Sequence, residues 1–142
     1  MGEALRELRD LARGIHPPVL SDRGLAAALA TLADQSGLPV SVSVDLDERL
    51  APAVETAAYF VVAEALANAA KHSGATQITV GVHRQNETLE LDVEDDGSGR
   101  ADPAGSGLTG LRLRVEALDG TLSVASPAGG PTIVHAELPC GS

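Results

Sequence analysis

Apolar residues recur with helical spacing through the first half of the chain and with a period of two through much of the second. Leu5, Leu8, Ala12 and Ile15 follow a 3-4-3 pattern, which predicts a helix over 3–14 of the kind that ends a coiled coil or bundle and stops at Pro17-Pro18. After Ser21-Asp22, the Ala- and Leu-rich residues 24–36 predict a second helix, closed by Gly37 and Pro39. Val40, Val42 and Val44 alternate with serines as a strand. Pro52 opens a long helix that runs to about Ser73-Gly74. A hairpin follows, with strands near 76–84 and 88–95 about the polar turn Gln85-Asn86-Glu87. Residues 97–107 are rich in Gly, Pro and Ser and read as a loop. A helix over about 108–118, with Leu108, Leu111, Val115 and Leu118 on one face, leads to two strands at 121–125 and 131–138.

Strand parity sorts the polar residues. Leu89, Leu91 and Val93 share one face, so Asp95 inherits the apolar side and Asp96 the solvent side. On the last strand Val134, Ala136 and Leu138 share a face with Thr132, which therefore also points inward. His83 and His135 have the opposite parity and are expected at the surface. The order of elements predicts an α+β fold: a two-layer sandwich, with helices on one face of a mixed sheet.

Composition narrows the function. One domain accounts for 142 residues, and 44% hydrophobic content suffices for a core. Ten Lys and Arg against twenty Asp and Glu, a net charge of −10, argue against a grip on nucleic-acid phosphates. Tyr59 and Phe60, the only aromatic residues, provide no base-stacking platform. Cys140 is the single cysteine, so no internal disulfide forms, as suits a reducing compartment. The longest apolar run, Ala57 to Ala63, is far short of the roughly 18 residues that span a bilayer. No signal peptide is visible, and Met1-Gly2 running straight into a helical pattern suggests a piece of a longer protein.

Three features carry candidate chemistry. Glu64, Asn68 and Lys71 project from one stripe of a helix otherwise apolar nearly all round, where buried charge needs a partner. Taken alone, that stripe fits a polar network satisfied within the protein equally well. Asp95 precedes Gly97 and Gly99 in DDGSG, which in isolation reads as an ordinary acidic turn. GSGLTG at 105–110 matches a dinucleotide-binding pattern but follows Asp102-Pro103-Ala104 instead of a strand, so its context is wrong for that fold. It still opens a helix whose N–H groups can hold phosphate. Together the three fit a nucleoside triphosphate with a divalent cation. Asn68 can offer a neutral oxygen to Mg²⁺, Lys71 and His72 can meet phosphate charge, and Asp95 can accept a hydrogen bond from an exocyclic amine. Gly97 and Gly99 let backbone approach the base and sugar.

EALANAAKH resembles the N box of sensor histidine kinases, DDGSG the D-x-G-x-G of their G1 box, GSGLTGLRLR their G2 box, and GGPTIVHAELP their final G-x-T hairpin. The resemblance covers residues 12–139 in four ordered motifs. It implies the Bergerat-type ATP-binding fold shared with gyrase-type ATPases, heat-shock chaperones and mismatch-repair proteins. ARGIHPPVLSDRGLAAAL is similar to the junction after the dimerisation hairpin in the nitrate-sensor-like subfamily, whose loop between the G1 and G2 boxes is also short. The implied organisation is a hairpin end and junction over 1–23 and a catalytic domain over 24–142.

Carried over, the resemblance assigns Asp95 to the adenine amine, Asn68 to Mg²⁺, and Glu64 to positioning or polarising groups about the γ-phosphate. Gly105, Gly107, Leu108 and Gly110 would line the lid and phosphates, and Thr132 would support the adenine. Glu64 and Lys71 are the expected catalytic residues. The implied activity is transfer of the ATP γ-phosphoryl group to a histidine on the dimerisation hairpin, for relay to a response regulator. The implied setting is cytoplasmic, with a monomeric fragment and a homodimeric full-length protein for which a membrane anchor in upstream segments stays open. The family places its acceptor histidine upstream of this chain; His16, in the junction, is not where the family places it. An anti-sigma-factor-type serine kinase on the same fold and a nonenzymatic nucleotide-gated interaction module are the alternatives, the first disfavoured by the helical junction before Gly24.

Overall fold

A computed structural model describes residues 18–46, 49–70, 76–97, 106–125 and 131–140, with the side chains of Pro18, Ser21, Ser106, Gly107 and Leu108 outside the description. The expected helix over 3–14 therefore lies outside the described residues. Among these residues nine elements follow in order: α1 (Pro18–Arg23), α2 (Leu25–Gln35), β1 (Val40–Asp45), α3 (Pro52–Asn68), β2 (Ile78–Gln85), β3 (Thr88–Asp95), α4 (Ser106–Glu116), β4 (Thr121–Ala125) and β5 (Thr132–Pro139).

The strands form one mixed sheet in the order β1-β2-β3-β5-β4. β1 and β2 run parallel, and the remaining neighbours are antiparallel. The hairpin between β2 and β3 turns on Asn86 and Glu87, with Asn86 at φ 59°, a left-handed conformation that Asn tolerates. Alternation is clean on the central strands. Val80, Val82, Leu89, Leu91, Val93, Val134, Ala136 and Leu138 face the helices and are buried. The opposite face carries Thr79, His83, Glu94 and Glu137 in the open. This is the pattern of a sheet packed on one side only.

α3 is the central helix of the second layer. It packs on β3 and β5 and is flanked by α2 and α4. Val54, Ala57, Ala58, Phe60, Val61, Val62, Ala65 and Leu66 are all buried. The small Ala residues let α3 approach its neighbours closely, and the larger ones fill the space above β3 and β5. Leu111 and Val115 add the buried face of α4, and Leu25, Ala28 and Leu29 that of α2. No described helix is long and apolar enough to cross a membrane.

Several boundaries differ from the sequence reading: the α-helical span of α3 ends at Asn68 and not near Ser73-Gly74, and α4 ends at Glu116 and not at 118. The sequence reading places no helix between Pro17-Pro18 and residue 24, yet Pro18 begins the short helix α1, because a proline costs nothing at a first helical position, where the N–H has no partner anyway. Gly24, at φ 93°, then breaks the chain between α1 and α2. Leu20, on α1, joins the common core. α4 begins at Ser106 instead of 108, so Gly107 belongs to its first turn and not to the preceding loop. Its other end closes on Asp119, at φ 64°, and Gly120, whose N–H donates to the Val115 carbonyl. A methyl group at Gly120 would run into the Glu137 carbonyl and the Val115 side chain, so this turn requires glycine.

Candidate nucleotide site

Asp95 ends β3 and Thr132 begins β5, and the two stand opposite each other in the ladder. Both are buried, at 6% and 5% exposure, as their parity predicts. One Asp95 carboxylate oxygen, Oδ1, accepts the Gly97 N–H at 2.9 Å. A carboxylate has about four acceptor directions, so this contact orients the group without exhausting it. Every described buried side-chain N or O atom has a partner. Asp95 is therefore a held, acceptor-rich group at the edge of an apolar core.

The next residue behaves differently. Asp96 is exposed and accepts the Thr76 hydroxyl at 2.6 Å, the Thr76 N–H at 2.8 Å and the Gln77 N–H at 3.0 Å. The Thr76 hydroxyl, followed by the two backbone donors, holds the Asp96 carboxyl below the usual carboxylate range. Adjacent acids thus divide the work: Asp96 fastens the chain entering β2, and Asp95 faces the core.

Glu64 and Asn68 lie one turn apart near the end of α3, Asn68 being its last residue. The sequence reading buries this stripe, but the structure leaves Ala63, Glu64, Ala67 and Asn68 half-exposed. The layers explain the difference. Val61, Val62, Ala65 and Leu66 take the inward side, and nothing in an apolar helix sequence marks which flank the sheet will leave open. A half-exposed stripe needs no internal network, and its oxygens remain accessible to a hydrated ligand.

The buried acid of α3 is one that sequence reading misses. Glu55, 3% exposed in the first turn, receives two hydrogen bonds from Arg49, from Nε at 3.0 Å and from an amino nitrogen at 2.9 Å. It also accepts the Leu50 N–H at 3.3 Å, while Arg49 reaches the Leu20 carbonyl at 3.2 Å. This fork-on-carboxylate pair ties α1 to the start of α3 and raises the Arg49 pKa, chiefly through the Glu55 hydrogen bonds. Gly24 lies beneath it, with the Arg49 side chain 3.0 Å from where a Cβ would stand. An acid in the first turn of an apolar helix, six residues after an Arg, is the only sequence signal for it.

α4 carries the glycine motif. Gly107 and Leu108 fall in its first turn, and Gly110 is exposed in its second. Further along, Arg114 stacks over the Phe60 ring at 4.6 Å, a cation–π contact that seats α4 on α3. Lys71, His72, Gly99 and Gly105 lie outside the described residues, as does His16. His83 is exposed and His135 half-exposed on the outer sheet face, as expected. Burial lowers the His135 pKa, but the Asp92 hydrogen bond and the charges of Asp92, Glu137 and Glu90 outweigh it, and the net direction is up.

These residues fit a purine nucleotide with a hard cation. A buried carboxylate with a hydroxyl opposite suits an exocyclic amine, and the carboxylate and amide oxygens of Glu64 and Asn68 are hard-metal donors. Comparison with known proteins gives the family. Over 96% of its length the chain is 37% identical to the sensor histidine kinase NarS of Mycobacterium tuberculosis, covering 34% of that protein. It is 30% identical over 97% of its length to the sensor histidine kinase LiaS of Bacillus subtilis, covering 40%. The chain thus spans little more than a third of these relatives. In fold it is similar to the histidine kinase domain of a blue-light activated histidine kinase from Erythrobacter litoralis, with a TM-score of 0.68 at 22% identity over 82% of this chain and 59% of that one. The histidine kinase AdeS of Acinetobacter baumannii gives 0.58 at 19% identity over 99% and 77%. The description "Histidine kinase-, DNA gyrase B-, and HSP90-like ATPase" matches residues 53–142, from α3 through β5, and the chain belongs to that family.

Proposed function

We propose that this chain is the ATP-binding catalytic domain of a two-component sensor histidine kinase, with residues 1–23 as the hairpin end and junction and 24–142 as the catalytic domain. The observation that carries the reading is the buried Asp95 facing Thr132 across the β3–β5 ladder, within a chain of this ATPase family whose relatives are named sensor histidine kinases.

On this reading Asp95, oriented by the Gly97 N–H, accepts a hydrogen bond from the adenine amine, and Thr132 supports the same edge. Gly97 and Gly99 admit the base and sugar. Asn68 holds Mg²⁺, and Glu64 positions groups about the γ-phosphate. Mg²⁺, when bound, neutralises charge on the transferring phosphoryl group. Lys71 and His72 meet phosphate charge, and Gly105, Gly107, Leu108 and Gly110 form the lid and phosphate lining. A histidine ring nitrogen on the dimerisation hairpin forms the new P–N bond as the bond from the γ-phosphorus to the bridging oxygen of ADP breaks. The phosphoryl group then passes to an aspartate of a response regulator. This division of labour relies on positioning and electrostatics, as phosphoryl transfer requires. The reading goes with a cytoplasmic catalytic domain in a homodimeric full-length protein, with or without a membrane anchor in upstream segments.

Incubation with γ-labelled ATP tests the proposal. The chain alone remains unlabelled, and adding the purified dimerisation hairpin of the parent protein gives acid-labile label on the hairpin. Acid-labile label on His16 of the chain alone, or acid-stable label, would contradict it.

A further inference from the structure

The face of the sheet opposite the nucleotide site carries a second cluster. Glu90 pairs with Glu137 across β3 and β5, and Asp92 pairs with His135 one step along the same ladder. All four side chains have the outward parity, away from Asp95 and Thr132. A ligand atom from each of Glu90, His135 and Glu137 lies within 4.8 Å of the others.

Three details go beyond a crowd of charges. His135 Nδ1 is hydrogen-bonded to Asp92 Oδ1, which in the neutral ring places the proton on Nδ1 and directs the Nε2 lone pair outward. A carboxylate behind the non-ligating nitrogen is the usual support of a metal-binding histidine. His135 Nε2 then stands 3.6 Å from Glu137 Oε2, too long for a hydrogen bond. Two ligands each about 2.1 Å from one tetrahedral ion would be separated by roughly 3.4 Å, so that distance suits a shared ion better than a direct contact. Finally, His83 Nε2 is 3.2 Å from Glu90 Oε2 and steadies the third ligand.

We propose that His135, Glu137 and Glu90 form a site for a transition-metal dication of the Zn²⁺ class on the outer face of the sheet, with Asp92 as a positioning residue. One imidazole with two carboxylates favours Zn²⁺ over Mg²⁺, which prefers oxygen donors and retains its water. Glu137 is about half-exposed, at 48%, so it can swing the remaining distance without disturbing the core. The fourth position is open to water. Because the ligands come from two strands, the ion would cross-link β3 to β5, the strands that present Asp95 and Thr132.

The test is calorimetric titration of Zn²⁺ into the chelator-stripped chain with excess Mg²⁺ present to fill hard-oxygen sites. One equivalent is expected to bind saturably and to raise the thermal midpoint. Asp92→Asn should weaken binding about 10- to 100-fold, the usual effect of losing such a support. His135→Gln and Glu137→Gln should weaken it at least as much, and the half-exposed Glu137 keeps the test valid if the histidine variant folds poorly. Absence of saturable uptake, or uptake that survives both ligand substitutions and so belongs to His16, His72 or Cys140, would overturn the proposal.

Discussion

Asp95 on β3 and Thr132 on β5 occupy opposite positions of one antiparallel ladder, both on its buried side. Their pairing brings together an acceptor and a hydroxyl from segments more than thirty residues apart, at the end of the strands on which α3 packs. Thr132→Val keeps the shape and the strand preference but removes the hydroxyl. It should weaken ATP binding by about 0.5–1.5 kcal/mol, roughly two- to tenfold, without unfolding the chain. Calorimetry with ATP checks this, and an unchanged affinity would take Thr132 out of the site.

Asn68→Ala should reduce the Mg²⁺-dependent part of triphosphate binding and leave metal-free ADP or adenosine binding nearly unaltered, because it removes a proposed metal ligand and none of the groups proposed for the base. Paired titrations with and without Mg²⁺ separate the two. If metal-free binding falls as far as Mg²⁺-ATP binding, Asn68 supports the structure instead of the cation.

Asp96 makes a pH-dependent contribution to stability. Its folded pKa is depressed, chiefly by the Thr76 hydroxyl. The unfolded chain therefore binds more protons in that window, and stability rises with pH there. The contribution is fully present above the unfolded value of about 3.9 and is lost as pH falls through the lower folded value. Thermal midpoints followed from about pH 5 to about pH 3 should decline more steeply for the parent than for Asp96→Asn. Parallel curves would show that the three hydrogen bonds contribute nothing in solution.

The Arg49–Glu55 pair predicts an asymmetry. Arg49 is half in solvent and Glu55 is buried, at 51% and 4% side-chain exposure. Arg49→Ala leaves a buried carboxylate without its counter-charge, whereas Glu55→Gln releases an Arg that water can solvate and keeps an acceptor for the Leu50 N–H. Denaturant unfolding should show the larger loss for Arg49→Ala. The reverse order would mean that Arg49 is not what compensates the buried Glu55 side chain.

Much of this was legible in the residues. A period of two allows only two faces, so the inward orientation of Asp95 and Thr132 followed once Leu91 and Val134 were assigned to the core. The stripe of Glu64 and Asn68 was legible as a spacing but not as a depth, since α3 is apolar on nearly every side and only its neighbours determine which flank stays open. The clasp between Arg49 and Glu55 was hidden because it depends on where a loop returns, which no periodicity encodes. The first turn of α4 reads as loop because Gly-rich sequence suits a loop or a helix start equally, and no periodicity separates the two. Lys71, His72, Gly99 and Gly105 rest on the motifs alone.

The most direct test of the nucleotide site compares two neighbouring acids. Calorimetric titration with Mg²⁺-ATP should show saturable binding to the parent, little change for Asp96→Ala, and a loss of at least about 1–3 kcal/mol for Asp95→Ala, the cost of leaving a buried polar partner unpaired. Circular dichroism should find the Asp95→Ala chain folded. No ATP binding by the parent, or equal losses in the two variants, would contradict the assignment of Asp95 to the adenine and with it the proposed ATP-dependent function.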